Sequence, residues 1–505
     1  MRKQATHFLL AICIILTGNL FFATGLAAEK EQSDVRESRM IIVKNKAGDI
    51  KTGTLAFVSR SEILVPVDVV KKYLNNDIMF DNEDKRVYVD IDKPDFKLET
   101  AELDELLQDG VLLNFLTTCI NGTYYINMKN IEKIFNVKMQ IDAKALTMDQ
   151  VGKPTMDTRG KRLNKVREKW VPAGKINLVW DCIQDSSPDL AKEDTVEGLQ
   201  VISPTWFSIG NSDGLVFSKA DSKYVDDAHR KGYKVWALVN NSFNKDLTRG
   251  FLINEDAQDK AIRQLLVYSS AYNLDGINID FENIYDEDRD RLTAFVGRLA
   301  CALKQQNIIV SMDVTVPSNV SFWSKCYDRA KLAELLDYVM VMTYDEHWSK
   351  SPESGSVASF GWVKSGLEKT LAKVPREKLL LGLPFYTREW EETATEYGTV
   401  RVKAKTMSMA AIEETVRQNN LDVTWLEDKG QYYTEYTVGD KRYRIWIEDE
   451  RSIALKAGLV DKYNLAGTAA WRKGFERKEI WSILNTVLQN KASEDSLNAK
   501  AAWAN

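Results

Sequence analysis

The stretch 275–282 contains the residues of this 505-residue chain that are best placed to do chemistry. Its strict alternation predicts a β-strand with one apolar face, whereas Asn278, Asp280 and Glu282 share the other face. Successive same-face positions lie about 6–7 Å apart, so each carboxylate would shift the pKa of the other. One acid could then remain protonated as a general acid while its neighbour stays charged. A solvated edge strand would show the same alternation, so the flanking sequence has to decide.

Composition and charge exclude several classes of protein. An apolar fraction of 44% and a charged fraction of 28% are typical of a globular protein, and the length allows two or three domains. A net charge of −5 argues against nucleic acid as a partner. With three histidines and no close cysteine pairs, the sequence favours neither a metal site nor a disulfide framework. Cys301, inside an apolar helical run, is expected to be a buried thiol.

The N-terminus resembles a targeting segment. Arg2 and Lys3 precede an apolar run over about 8–22 and small residues at 23–28, which is the pattern of a secretory signal peptide occupying 1–28. An uncleaved anchor is the alternative, because the apolar run is long. We expect a protein that is secreted or associated with the cell wall of a Gram-positive-type bacterium, with no membrane contact after the signal is removed.

Region 36–150 contains a weak internal repeat. Residues 126–142 repeat the pattern of residues 65–81 at a constant offset of 61, and each unit predicts a strand, a short helix and a strand. The region resembles the small α+β module named for the N-terminal domain of copper amine oxidases. It contains no histidine, so we expect a structural or wall-contacting role. The charged stretch 151–172 is expected to be a linker that makes the module separable.

From residue 173 to 490, strand-like runs alternate with helical patterns. This predicts an α/β fold, a (β/α)8 TIM barrel with its chemistry at the C-terminal ends of the strands. A segment at about 391–464 is too long for one helix and is expected to be a small α+β insertion after strand seven, and 491–505 is expected to be a tail. The eight predicted strands are 176–180, 199–209, 234–240, 275–282, 308–316, 338–345, 379–386 and 467–471.

The string Asp275-Gly276-x-x-x-Asp280-x-Glu282 resembles the catalytic strand of family 18 glycoside hydrolases, the chitinase-like barrels. The family has an aspartate where this sequence has Asn278. The ends of predicted strands six, seven and eight also match the family, at Met342-x-Tyr344-Asp345, Tyr386 and Trp471. With Asn278, the run from Tyr344 to His347 is similar to the branch of bacterial spore and cell-wall N-acetylglucosaminidases.

The resemblance implies a retaining reaction in which the substrate's own acetamido group attacks, without metal or other cofactor. Glu282 would be the acid and later the base, Asp280 would hold the acetamido N–H, and Tyr344 would bind the acetamido oxygen. The amide of Asn278 is expected to donate a hydrogen bond to Asp280. The residues expected to bind substrate are Asn278, Met342, Asp345, Tyr386 and Trp471.

The expected substrate is peptidoglycan of the cell wall or spore cortex, cleaved at β-1,4 bonds next to N-acetylglucosamine by a monomeric enzyme. Two alternatives stay open. The first is a chitinase or chitooligosaccharide hydrolase, because chitin carries the same acetamido group. The second is a wall protein that binds sugar without cleaving it.

Overall fold

The computed structural model describes most of the protein beyond residue 35. The expected signal peptide, most of the expected linker and the C-terminal tail lie outside the described residues. No described helix combines the length and the apolar character that crossing a bilayer requires. The described residues are 36–45, 48–59, 62–91, 106, 109–132, 134–135, 137–150 and 168–489.

In its described residues, the N-terminal module is a mostly antiparallel sheet with the short helices Val67–Tyr73 and Met128–Ile131. The spatial order is β4-β5-β6-β7-β3-β2-β1-β9-β8. Each unit of the repeat contains a strand, a helix and a strand, because an apolar strand runs directly into a helical turn in both. The strands are β1 Glu37–Asn45, β2 Gly48–Val58, β3 Ile63–Pro66, β4 Met79–Asp81, β5 Arg86–Ile91, β6 Val111–Ile120, β7 Thr123–Asn127, β8 Val137–Ile141 and β9 Ala145–Gln150.

The larger unit contains a closed barrel of eight parallel strands. β10 pairs with β11 and β24, and β11 also pairs with β14, which closes the ring through β15, β16, β17 and β18. The predicted (β/α)8 fold is therefore confirmed. The strands of this unit are β10 Ile176–Asp181, β11 Val201–Pro204, β12 Phe207–Ile209, β13 Val216–Ser218, β14 Lys234–Asn240, β15 Gly276–Asp280, β16 Ile309–Thr315, β17 Tyr338–Met342, β18 Leu379–Pro384, β19 Tyr386–Ala394, β20 Val400–Ser408, β21 Thr424–Leu426, β22 Gln431–Val438, β23 Lys441–Ile447 and β24 Gly467–Trp471.

Helices cover the outside of the barrel. Asp and Asn side chains begin several of them by accepting hydrogen bonds from first-turn amides, as Asp221 and Asn254 do. The apolar faces of these helices pack on the outward residues of the strands, so the strands are buried on both sides. The helices of this unit are Ser222–Arg230, Lys245–Leu252, Glu255–Ala271, Arg289–Lys304, Arg329–Leu335, Phe360–Leu371, Met409–Gln418, Glu450–Lys462 and Glu479–Leu488.

The strand that carries the predicted motif is β15, the fourth strand of the barrel. All five of its residues are buried. A Cβ atom on Gly276 would lie 2.6 Å from the ring of Trp236, which fills the barrel interior beside it. The glycine of the motif is therefore needed for packing at the start of the strand, at the end opposite to the acids.

The insertion after strand seven is a five-stranded antiparallel sheet, β20-β19-β23-β22-β21, with the helix Met409–Gln418. Its hairpin between β22 and β23 turns at Gly439, whose φ of 63° suits glycine. The sheet begins at Tyr386, directly after β18, and ends at Ile447. The insertion therefore begins and ends earlier than the expected 391–464. Helix Glu450–Lys462 is not part of it, because this helix packs against β18 and β24 and belongs to the barrel.

Cys301 is exposed rather than buried. It lies on the solvent face of helix Arg289–Lys304, whereas the preceding residue, Ala300, faces the core. The apolar composition of this helix predicted a buried Cys301. Each residue turns the helix by about 100°, however, so adjacent residues face different sides. The four cysteines among the described residues are free.

The module and the barrel share a buried polar junction. Strand β13 is an edge strand, and the side chain of Asn114 pairs with its backbone by donating to the carbonyl of Val216 at 2.7 Å. The guanidinium of Arg86 donates to the side-chain oxygen of Asn114 at 2.8 Å and to the carbonyl of Ser218 at 2.9 Å. The hydroxyl of Tyr268 donates to the carbonyl of Asn114 at 3.1 Å. The module is therefore packed against the barrel and provides hydrogen-bond partners for the backbone groups of β13 at this junction.

We expect Asn114→Ala to lower the free energy of unfolding by about 3 kcal/mol, since it leaves buried polar groups on both sides of the junction without partners. Urea denaturation of the full-length protein measures this. The control is Asn76→Ala in an exposed turn of the module, which should cost less than about 0.5 kcal/mol. Equal losses in the two variants would contradict a stabilising junction.

Candidate active site

The two acids of the motif lie at the C-terminal end of β15. Asp280 is the last residue of the strand and is 8% exposed, and Glu282 is half-buried two residues later. The Oδ1 atom of Asp280 is buried and has no hydrogen-bond partner among the described residues. An unpartnered acceptor at this depth is costly and is a feature of sites that take a ligand donor.

The backbone around Glu282 is held on both sides. The side chain of Asn241 accepts from the amide of Glu282 at 3.1 Å and donates to its carbonyl at 2.7 Å. The hydroxyl of Tyr327 donates to the carbonyl of Phe281 at 2.8 Å. Asn241 is fully buried and follows β14 directly. Neighbouring loops thus fix the position of Glu282. The only feature of the sequence that indicates this contact is an Asn directly after a strand.

Asn278 does not donate to Asp280, contrary to our expectation. Its amide nitrogen donates to Asp313 at 2.9 Å and to the hydroxyl of Ser311 at 3.2 Å, and its oxygen accepts from the indole of Trp180 at 2.8 Å. The parallel register places Asn278 opposite Ser311 on β16, so the amide nitrogen donates to the adjacent strand rather than along its own strand. Asn278 is fully buried, so it acts on the site through Asp313.

Asp313 is a third acid of the cluster that the sequence analysis missed. It is 1% exposed on β16 and points into the barrel with Ser311. The signal was available, since a serine and an aspartate alternate with apolar residues along β16 as Asn278 and Asp280 do along β15. It was overlooked because no family pattern marked it.

Burial raises the pKa values of all three acids, and the charge of Asp280 raises those of Glu282 and Asp313 further. Burial raises the pKa of Asp280 to about 7. The pKa of Glu282 is raised well above its ordinary value by burial and by the charges of Asp280 and Asp345. Burial and the charge of Asp280 likewise raise the pKa of Asp313, against the opposing hydrogen bond from Asn278. Asp280 therefore ionises first as pH rises, and its charge keeps Glu282 protonated.

Tyr344 and Asp345 follow β17 and border this cluster. Burial raises the pKa of Tyr344, and the charges of Asp313, Asp280 and Glu282 raise it further. Asp345 accepts hydrogen bonds from the hydroxyl of Tyr386 at 2.5 Å and from Arg388 at 2.6 Å.

Asp345 and Tyr386 differ in how accessible they are. Tyr386 is 3% exposed and is engaged with Asp345, so it orients that carboxylate and presents little surface of its own. The side chain of Asp345 is 43% exposed and remains accessible. Arg388, 6% exposed, is a further positioning residue and donates to the same Oδ1 atom of Asp345 as the hydroxyl of Tyr386.

Two tryptophans line the floor of the barrel mouth. Trp471 ends β24 directly opposite Trp180 on β10, and their ring centroids are 6.2 Å apart. Trp180 is fully buried, whereas Trp471 is partly exposed. Met342, the last residue of β17, is also partly exposed. Trp471 thus offers an aromatic face supported from behind, which suits the apolar face of a sugar ring.

The first acid of the motif lies far from this cluster. Asp275 precedes β15 and accepts from the amide of Val235 at 3.0 Å and from Lys234 at 2.9 Å, and it lies 2.6 Å from His229. It joins β14 to β15 at their N-terminal ends, so its role is structural. A cavity of about 770 Å³ lies at the same end of the barrel, lined by the first residues of β10 and β17 and by Ala466, which precedes β24; it contains none of the acids of the cluster.

The cluster is arranged for proton transfer. A half-buried acid kept protonated lies next to a buried carboxylate, with a tyrosine and an exposed indole on the same mouth. Within the described ranges, no group of three or more His, Cys, Asp or Glu side chains could hold a metal ion.

Comparisons with known proteins agree with this geometry. The model of the Glycosyl hydrolases family 18 matches residues 206–475, more than half of the sequence. "Uncharacterized glycosylase YvbX" of Bacillus subtilis (strain 168) is 29% identical over 284 residues, which covers 54% of this chain and 80% of that protein. "Cortical fragment-lytic enzyme" of the same organism is 25% identical over 252 residues, or 49% of this chain and 58% of that protein.

Among solved structures, the chitinase from Chromobacterium violaceum ATCC 12472 has a TM-score of 0.55 at 21% identity. The likeness covers 62% of this chain and 99% of the chitinase, and it shows the shared fold. The match to the cortical enzyme, by contrast, spans a little over half of that protein's length.

We expect Asn278→Asp to raise the pKa of Asp280 by about one unit or more, since it adds a negative charge to the buried cluster and removes the hydrogen bond that opposes protonation of Asp313. Carboxyl 13C NMR titration measures the shift. If the reaction requires charged Asp280, the acidic limb of the pH–rate profile should shift to higher pH together with the pKa of Asp280. Asn273→Asp, an exposed position before the same strand, is the matched control, and equal titration curves in both variants would contradict the coupling.

Proposed function

This chain belongs to family 18 of the glycosyl hydrolases, and from that membership we propose that it cleaves β-1,4 bonds next to N-acetylglucosamine in peptidoglycan. The observation that carries the reaction type is the pair formed by Glu282 and Asp280 at the C-terminal end of β15. Both lie where barrel enzymes place their chemistry.

In the proposed reaction, the 2-acetamido group of the substrate is the nucleophile. Glu282 protonates the glycosidic oxygen of the leaving sugar while the acetamido oxygen attacks the anomeric carbon, which gives a cyclic oxazolinium ion. Glu282, now charged, accepts a proton from the water that opens this ion, and the product retains its configuration. The raised pKa of Glu282 supports its role as an acid near neutral pH.

Asp280 and Tyr344 would orient the acetamido group. The buried Oδ1 atom of Asp280, which lacks a partner among the described residues, supports a hydrogen bond from the acetamido N–H. Charged Asp280 would also stabilise the positive charge that develops on the oxazolinium. Tyr344, next to the same acids, would donate to the acetamido oxygen. Trp471 would carry the sugar ring, with Met342 and Asp345 beside it.

The choice of peptidoglycan rests on context. The similarity to a cortical fragment-lytic enzyme supports it, as do the signal-like N-terminus and the N-terminal module, which resembles a secreted Gram-positive one. We propose that the protein acts outside the cytoplasm. Chitin is the alternative substrate because it carries the same acetamido group. A protein that only binds sugar is disfavoured, since Glu282, Asp280 and Tyr344 are all present.

Glu282→Gln should lower kcat/KM by about 10²–10⁴-fold on a glycan with a poor leaving group, because it removes the proton donor and keeps the shape. For an aryl glycoside with a good leaving group, the rate of the first step should fall less in this variant. Glu287→Gln, an exposed glutamate on the same loop, is the matched control. If Glu282→Gln unfolds at the wild-type temperature and retains more than a few per cent of activity on the glycan, Glu282 is not the acid.

The substrate is tested by digesting purified sacculi, spore cortex and an N-acetylglucosamine hexamer in parallel, with the Glu282→Gln protein as the blank. We expect fragments with reducing N-acetylglucosamine ends from at least one wall preparation, identified by mass spectrometry. Rapid cleavage of the hexamer with no fragments from either wall would contradict peptidoglycan as the substrate. No reducing ends from any of the three would contradict hydrolysis itself.

A further inference from the structure

A cluster of aromatic side chains and one lysine borders the mouth of the barrel beside Glu282. The ammonium of Lys245 lies 4.9 Å from the ring centroid of Tyr285 and 5.5 Å from that of Phe322. Phe322 and its neighbour Trp323 are each 40% exposed. We call Lys245, Tyr285, Phe322 and Trp323 the rim cluster.

The rim cluster is built from the loops after three successive barrel strands. Lys245 follows β14, Tyr285 follows β15, and the two exposed rings follow β16. The amide of Ile284 donates to the carbonyl of Phe322 at 3.1 Å, and Asn283 donates to the carbonyl of Phe243 at 2.9 Å. These bonds hold the three loops together, so the rings form a fixed surface.

The cluster is close to the catalytic strand. Tyr285 is three residues beyond Glu282, and consecutive Cα atoms are about 3.8 Å apart, so the two Cα atoms lie within about 11 Å. A sugar near the bond at Glu282, along the same glycan strand, is therefore within reach. Adjacent aromatic rings exposed to water often mark a binding surface, and stacking against sugar rings would explain their exposure here.

Lys245 places on this surface a positive charge that forms no ion pair among the described residues. The acids around it already have partners: Asp246 accepts from the hydroxyl of Tyr285 at 2.7 Å, and Arg249 binds Asp288 at 2.6 Å and Glu287 at 3.0 Å. Among the described residues, Lys245 has ring contacts and no ion pair. A cation held between two rings in this way is ready to bind an anion.

We propose that the rim cluster binds a carboxylate-bearing unit of the glycan, with Lys245 pairing to the carboxylate and the rings of Phe322 and Trp323 stacking on the sugar. This rests on the proposed function and specifies its substrate. Chitin has no carboxylate. In peptidoglycan, every second sugar is N-acetylmuramic acid, whose lactyl carboxyl is either free or joined to a peptide that has carboxylates of its own.

Lys245→Met tests the proposal because it keeps the length and the apolar part of the side chain. The substrates are peptidoglycan strands with their peptides removed, strands that keep them, and the N-acetylglucosamine hexamer. The ratio of kcat/KM on a carboxylate-bearing strand to that on the hexamer should fall about five- to tenfold. A fall confined to peptide-free strands identifies the lactyl carboxylate, and a fall confined to peptide-bearing strands identifies the stem.

Two further variants separate charge from position. Lys245→Arg should restore the ratio, since it returns a cation. Lys325→Met, which removes a lysine from the exposed turn that contains Phe322, should leave the ratio within twofold. An unchanged ratio in Lys245→Met, or an equal fall in Lys325→Met, overturns the proposal.

Binding measurements keep this test independent of the proposed activity. In the Glu282→Gln background, Lys245→Met should raise the Kd for peptide-free or peptide-bearing strands about five- to tenfold relative to the hexamer. If the wild-type protein cleaves only the hexamer, peptidoglycan hydrolysis fails while this binding ratio still decides the role of Lys245. An unchanged Kd ratio would overturn that role.

Discussion

Three carboxyl groups in one low-dielectric cluster cannot all be charged, and the chemistry proposed for this protein depends on that constraint. Asp280, Glu282 and Asp313 share the C-terminal mouth of the barrel, and burial raises the pKa of each. The charge of Asp280 acts on the other two, whereas burial alone raises its own pKa. Asp280, whose pKa is about 7, is therefore the first of the three to ionise, and its charge favours the protonated forms of Glu282 and Asp313.

The barrel provides the rigidity that this cluster requires. Glu282 is held through its backbone by Asn241, so its side chain remains free to exchange a proton. Asn278 is enclosed by Trp180, Ser311 and Asp313 and has no freedom to reorient. Where relatives of the family have an aspartate, this protein has an amide that donates to an acid on the next strand. The amide supports Asp313, and Glu282, the proposed proton donor, is retained.

The two units beside the barrel, the insertion and the N-terminal module, are both attached through buried polar contacts. The insertion is tied to the barrel by a fully buried ion pair between Glu448 and Lys456, to which Gln431 also donates. The N-terminal module is attached through the buried side chains of Arg86 and Asn114. A buried charge is costly unless it is paired, so these contacts fix both units in place. The expectation of a loosely linked module, drawn from a charged linker, did not include this junction.

The sequence alone predicted the barrel and the order of its strands, because alternation and strand spacing are local properties that can be read directly from the residues. Its resemblance to family 18 also indicated Asp280 and Glu282 as the candidate acids. Which partner each polar side chain takes was decided only in three dimensions. The amide of Asn278 reaches Asp313 because parallel register places β16 beside it, and Asp275 supports the opposite end of the barrel for the same reason. The rim around Lys245 likewise requires three loops that are far apart in the sequence to meet, which no local pattern encodes.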